Sequence, residues 1–139
     1  VADAAMLRAL LEAGYLPVVT PMGLDPDGRI CNVNADDAAA AVGASLGGEL
    51  VLMTDTDGVR GADGRRIPEL TPAETTRLIH EGVIAGGMVP KVGSALRALG
   101  EGSLAERSVI ADGRTQQALH RALHEGAGTI FQPSGRGRS

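Results

Sequence analysis

Short apolar runs and longer helical patterns take turns along most of this chain. Residues 16–20, 49–54, 107–111 and 128–131 are brief, apolar and bounded by Gly, Pro or Asp, as buried strands are. Between them lie stretches with helical spacing. Ala5, Leu7, Leu10 and Leu11 end at Gly14, and an alanine-rich stretch after residues 34–37 runs to Leu46. A helix opens at residues 71–74, another follows residues 86–91 and runs to about Leu99, and a last one covers residues 115–125. Strands that alternate with helices bury their apolar faces as an α/β domain with a mainly parallel sheet.

Local chemistry sets where these segments start and stop. Asp25-Pro26-Asp27-Gly28 is a turn, because Pro presets one dihedral and Gly accepts positive φ, and residues 29–33 read as the returning strand. Asn34, Asp36 and Asp37 bring cap oxygens and negative charge to the start of a helix that Gly47-Gly48 ends. Residues 55–68 are rich in Gly, Asp and Arg and read as a hairpin or loop. Thr71-Pro72-Ala73-Glu74 opens a helix with Pro at its first position and a capping pair. The Gly, Ser and Arg tail at residues 133–139 reads as disordered. No internal repeat and no linker divides the chain.

Composition excludes several classes of function. Aromatic residues are 1% of the chain, so the core is aliphatic and a base-stacking RNA platform is not available. A net charge of −4 argues against a nucleic-acid partner. No apolar run approaches the ~20 residues that cross a bilayer, and no signal peptide opens the chain. A cytoplasmic protein without a membrane partner is the expectation. Cys31 alone makes neither an internal disulfide nor a zinc cluster, and in a strand it reads as a small core residue. The chain begins at Val1 inside a helical pattern, which points to a fragment or an alternative start.

In open α/β sheets, ligands gather at the carboxyl ends of strands. Three segments have that placement: residues 32–36, 54–58 and 86–91. Lys91 is the sole lysine among 13 basic residues and sits in the first turn of its helix, where the dipole disfavours a cation. With the amides of Gly86 and Gly87 beside it, the ammonium makes a phosphate site; the plain alternative is a solvated lysine. Asp36 stabilises a helix start whether or not it has a function, but Asn32 and Asn34 lie just upstream and share a strand face. An amide there can hold a carboxylate or amide of a small ligand.

The run Thr54-Asp55-Thr56-Asp57-Gly58-Val59 resembles the first motif of haloacid-dehalogenase-type phosphohydrolases. That resemblance implies Asp55 as nucleophile, Asp57 as general acid/base and a bound Mg²⁺. A polar turn is the plain alternative. A calcium loop is excluded, because Val59 and Arg66 stand where oxygen ligands are needed. His120 and His124 are four apart on a helix but lack a third ligand, so they read as surface histidines and no metal site is assigned.

Taken in order, the segments resemble the carboxyl-terminal half of the amino acid kinase family, and within it the branch that acts on N-acetylglutamate. The matching stretches are Gly14-Tyr15-Leu16-Pro17-Val18, Asn32-Val33-Asn34-Ala35-Asp36, and Leu52-Met53-Thr54-Asp55 with Gly58-Val59. Gly86-Gly87-Met88-Val89-Pro90-Lys91-Val92, Asp112-Gly113-Arg114 and Gly128-Thr129 complete them. The resemblance implies a three-layer α/β/α sandwich, with residues 1–132 as the ATP-binding portion of the domain.

It also implies ATP-dependent phosphorylation of the γ-carboxylate of N-acetyl-L-glutamate in arginine biosynthesis, with Mg²⁺ carried by the nucleotide. Asn32 would bind the substrate, Asp36 would organise the catalytic lysines and Lys91 would stabilise the transferring phosphoryl group. Asp55, Thr56, Asp57, Gly58, Val59 and Arg60 would line the nucleotide pocket, helped by Val83, Ile84 and Ala85. The full-length protein would be a homo-oligomer. The family's amino-terminal half, with a glycine-rich loop, a second lysine and a substrate-binding arginine, has no place before Val1, so these residues alone are expected to be inactive. A kinase for carrier-bound aminoadipate, the phosphohydrolase and a non-catalytic binding module stand as alternatives.

Overall fold

The computed structural model describes residues 4–133. Its helices are α1 (Ala5–Glu12), α2 (Ala35–Leu46), α3 (Pro72–His80), α4 (Met88–Arg97) and α5 (Ala118–His124). Its strands are β1 (Met22–Leu24), β2 (Ile30–Asn32), β3 (Gly48–Thr54), β4 (Glu69–Leu70), β5 (Ala105–Asp112) and β6 (Thr129–Phe131). β1 and β2 form a separate antiparallel hairpin, and the main sheet has the order β3-β5-β6-β4. Within it β3 pairs with β5 and β4 with β6 in parallel, whereas β5 and β6 are antiparallel.

The period of two along the strands sorts side chains into two faces. Leu50, Leu52, Ile110 and Phe131 meet Ala40 of α2, Leu78 of α3, and Val92, Ala95 and Ala98 of α4. Val51, Val109, Ala111 and Ile130 point the other way, against Ala122 of α5. The result is three layers, α/β/α, with an aliphatic main core around one buried aromatic ring, Phe131. The small residues of α2 and α4 let those two helices approach closely.

Several expectations are corrected. Residues 16–20 make no strand; Leu16 and Val18 are 87% and 91% exposed, because no ladder is offered to that run among the described residues. The returning strand pairs instead with Met22–Leu24, through a turn in which Asp25 Oδ1 accepts the N–H groups of Asp27 and Arg29 at 2.9 and 2.8 Å. Cys31 lies in a strand but is exposed, since this hairpin has no covered face there. Asn34 does not share a strand face with Asn32: the strand ends first, and Asn34 turns to cap α2. The last helix starts only at Ala118, after the left-handed Gln117 (φ 56°). The short β4 escaped the sequence reading because two residues carry no period. Of the tail, residues 134–139 lie outside the described residues, and Pro133 is half-buried.

The loop after β3 is tied down from across the sheet. Val59 N–H donates to Thr129 Oγ1 at 2.8 Å, and that hydroxyl donates to Ile67 O at 2.6 Å. Thr129 is fully buried, so Thr129→Val would orphan two backbone groups at once. Its expected cost is about 2–4 kcal/mol. Urea unfolding of the variant should show a midpoint shifted to match, with an unchanged slope.

Candidate functional site

Chain direction gathers the charged groups. α2 passes through Gly47 straight into β3 and so runs antiparallel to it, which puts the start of α2 beside the carboxyl end of β3. α4 returns to β5 in the same way. Because β3 and β5 are parallel, with Thr54 opposite Asp112, both strand ends and both helix starts share one edge of the sheet. Gly113 N–H seals that edge by donating to Thr54 O at 2.9 Å.

At this edge Lys91 Nζ donates to both carboxylate oxygens of Asp36, at 2.9 and 2.8 Å. The two side chains are 17% and 28% exposed, so the pair is largely withdrawn from solvent while one side stays open. Asp36 is held in place from its own backbone, since its N–H donates to the Asn34 cap at 3.0 Å. The negative charge at the start of α2 suits the helix dipole; the positive charge at the start of α4 opposes it, and Asp36 offsets that opposition. Just before α4, the N–H groups of Gly86 and Gly87 have no hydrogen-bond partner among the described residues, and neither α-carbon has an atom crowding the place of a side chain. An ammonium in the first turn of a helix, with free amides in the turn just before it, can stabilise an anion that approaches that helix start.

A second tie lies one residue further along. Ser94 Oγ donates to Asp37 Oδ1 at 2.6 Å, and the Arg97 guanidinium donates to the same oxygen. The Ser94 hydroxyl, and after it Arg97, hold the Asp37 carboxyl below its ordinary value. The sequence reading singled out neither Ser94 nor Arg97. Their spacing of three from Lys91 was the signal, visible only once α2 is known to be the facing helix.

The remaining expected site residues divide. Asp55, Asp57, Arg60 and Ala85 are exposed, Thr56 is partly so, and Asn32 is exposed at the end of β2. Asp57 pairs with Arg60 at 3.1 Å, and Thr56 Oγ1 donates to Gly58 O at 3.2 Å. Val59 and Ile84, in contrast, are core side chains 1% and 3% exposed. Val83 packs against the same core. These three residues support the loops that carry their neighbours. Gly58 has φ 134°, and a Cβ there would stand 2.6 Å from Thr129 Oγ1, so the tie across the sheet requires glycine. Beside Asp57, a cavity of about 260 Å³ is lined by Arg66, Asp112, Thr115, Arg121 and Glu125 among others.

Asp112, at the end of β5, is gripped by Arg114 through Nε at 3.0 Å and a terminal nitrogen at 2.9 Å. The Arg114 side chain, and then its backbone N–H, lower the Asp112 carboxyl from 3.8 to about 2. Asp55 adds a smaller attraction to the same guanidinium. Among the described residues no three His, Cys, Asp or Glu side chains are placed to hold a metal ion. The rings of His120 and His124 lie with centroids 4.9 Å apart and planes tilted by 50°. No helix among the described residues is long and apolar enough to cross a membrane.

This geometry defines a three-layer α/β/α unit with a charged centre at the carboxyl edge of its sheet. The chain belongs to the amino acid kinase family, which matches residues 1–112. Acetylglutamate kinase from Sodalis glossinidius (strain morsitans) is 47% identical over 93 residues, covering 67% of this chain and 36% of that protein. The chain thus spans little more than a third of the length of this curated relative. The structure of N-acetylglutamate synthase from Neisseria gonorrhoeae, complexed with coenzyme A and N-acetyl-glutamate, superposes with a TM-score of 0.84 at 30% identity. That match covers 96% of this chain and 31% of the synthase. Carbamate kinase from Giardia lamblia, bound to AMP-PNP, shares the fold at 21% identity, with a TM-score of 0.74 over 95% of this chain and 50% of its own.

The lowered carboxyls set an acid limit. Asp37, Glu74 (held down by the Thr71 backbone N–H, then its hydroxyl) and Asp112 all ionise more readily folded than unfolded. Their contribution is complete above the unfolded values and is lost as pH falls through the folded ones. The melting temperature should therefore drop between pH 4.5 and about 2. Arg114→Ala should make that drop shallower when melting is followed by circular dichroism across the range.

Proposed function

We propose that this chain is the ATP-binding, carboxyl-terminal part of a kinase that phosphorylates the γ-carboxylate of N-acetyl-L-glutamate in arginine biosynthesis. The observation that carries the reading is the Lys91–Asp36 pair beside free amides at the carboxyl edge of the sheet. The 47% identity to an acetylglutamate kinase supports the reaction. Two relatives of different chemistry, that kinase and the synthase, both carry N-acetylglutamate in their names, which supports the substrate.

In the proposed reaction a γ-carboxylate oxygen attacks the terminal phosphorus of ATP, the bond to the bridging oxygen breaks, and an acyl phosphate and ADP form. Such a transfer needs positioning and charge neutralisation more than covalent help from the protein. Lys91 stabilises the terminal phosphoryl oxygens, and Asp36 fixes where its ammonium stands. The Gly86 and Gly87 amides offer further donors to the phosphates. Asn32, with an amide that both donates and accepts, binds the amino-acid substrate. Asp55, Thr56, Asp57 and Arg60 line the nucleotide pocket with Gly58 and the exposed Ala85, while Val59, Val83 and Ile84 set the loops. Mg²⁺ travels with the nucleotide and neutralises part of its charge. The proposed setting is the cytoplasm, and the full-length protein is a homo-oligomer. Residues 1–139 alone contain only part of the machinery and do not turn over.

A coupled ADP-release assay on the full-length protein, with ATP and N-acetylglutamate, tests this. Lys91→Ala should lower kcat by on the order of 10²-fold, the loss typical of a missing electrostatic stabiliser. Asp55→Asn should raise the KM for ATP and leave kcat near its starting value. Full turnover in Lys91→Ala would falsify the kinase reading, and abolished turnover in Asp55→Asn would favour phosphohydrolase chemistry.

A further inference from the structure

We propose that Asp37 is a positioning residue: by clamping Ser94 and Arg97 it fixes α4 against α2 and so holds the Lys91 ammonium over Asp36. The catalytic role of Lys91 rests on the proposed function; the clamp on its position does not.

Lys91, Ser94 and Arg97 stand three apart along one ridge of α4, and that ridge lies against the first turn of α2. Asp36 takes the first of them, and Asp37 takes the other two on a single oxygen, Oδ1. Two consecutive carboxylates therefore bind one ridge at two heights. Val92, Ala95 and Ala98 seat α4 on the core, but a lysine has four rotatable bonds with which to follow its partner, so the Lys–Asp tie alone fixes the start of α4 against α2 loosely. The second tie, between half-exposed Asp37 and Arg97 with buried Ser94 between them, narrows that play. Arg97 in turn donates to Ser94 Oγ at 2.8 Å, which closes a triangle of Asp37, Ser94 and Arg97.

Three further features suit a clamp. Asp37 N–H donates to the Asn34 side chain at 3.2 Å, so one cap orders both carboxylates. Gly93 leaves space for the arginine: a Cβ there would stand 3.2 Å from an Arg97 terminal nitrogen. Ser94 has a second acceptor, Pro90 O at 3.1 Å, so removing Asp37 does not strand its buried hydroxyl. The clamp can be released without orphaning a core group.

Lys91 is the sole lysine of the chain, which gives a direct readout of its environment independent of catalysis. The full-length protein would be treated with limiting acetic anhydride and the Lys91 peptide quantified by mass spectrometry. Asp37→Ala should raise acetylation of Lys91 by roughly threefold or more, the scale of coupling between neighbouring groups. It should also lower kcat about tenfold, with both KM values within about twofold. Asp37→Asn keeps the Oδ1 acceptor and should restore most of both values. Thr71→Ala, which uncaps the distant α3, should reduce the melting temperature without moving Lys91 acetylation or kcat. Unchanged acetylation in Asp37→Ala, or an equal change in Thr71→Ala, overturns the clamp. Acetylation that rises in a wild-type background lacking all kinase activity keeps the clamp and overturns the kinase reading instead.

Discussion

Everything at the candidate site follows from the parallel pairing of β3 with β5. Two parallel neighbours end at the same edge, and each is entered by a helix running the opposite way, so the starts of α2 and α4 arrive there together. An antiparallel pairing would have sent Asp36 and Lys91 to opposite ends of the sheet. Helix starts carry unpaired N–H groups and a positive dipole end, so an edge that collects two of them is predisposed to anions before any side chain is considered.

The side chains then refine that predisposition. Asp36 cancels much of the local positive charge and makes the ammonium at the start of α4 tolerable, while one open side leaves Lys91 able to meet a further anion. On the neighbouring strand end, Asp112 and Arg114 hold each other, with Asp55 close enough to add to the attraction. The edge is thus a balanced array of acids and bases rather than a basic patch. Such an array can accept a polyanion that brings its own cation without a large change in net charge.

Much of the fold was legible from local chemistry. The capping pair Thr71 and Glu74 forms as its spacing predicts, with Glu74 N–H donating to Thr71 Oγ1 at 3.2 Å and the carboxylate accepting from Thr71 N–H at 2.9 Å. β3 and α2 were visible because their patterns are long and their ends are marked by Asn34 and by Gly47-Gly48. The run at residues 16–20 has equal β propensity, yet the structure gives it no ladder. Propensity is a property of a residue, whereas a strand exists only with a partner. Val59 and Ile84 show the same limit at the site: a position beside a ligand loop in sequence can be a core position in space.

The alternation of α2, β3, α3, α4 and β5, the caps, the turn at residues 25–28 and the singular Lys91 are written in the sequence, because each depends on residues within a few positions of one another. The meeting of Lys91 with Asp36, separated by 55 residues, is not, nor are the clamp of Asp37 on Ser94 and Arg97 or the tie from Thr129 to Val59. Those contacts depend on which strands pair and in which direction, and pairing is decided by the collective burial of aliphatic faces rather than by any local signal.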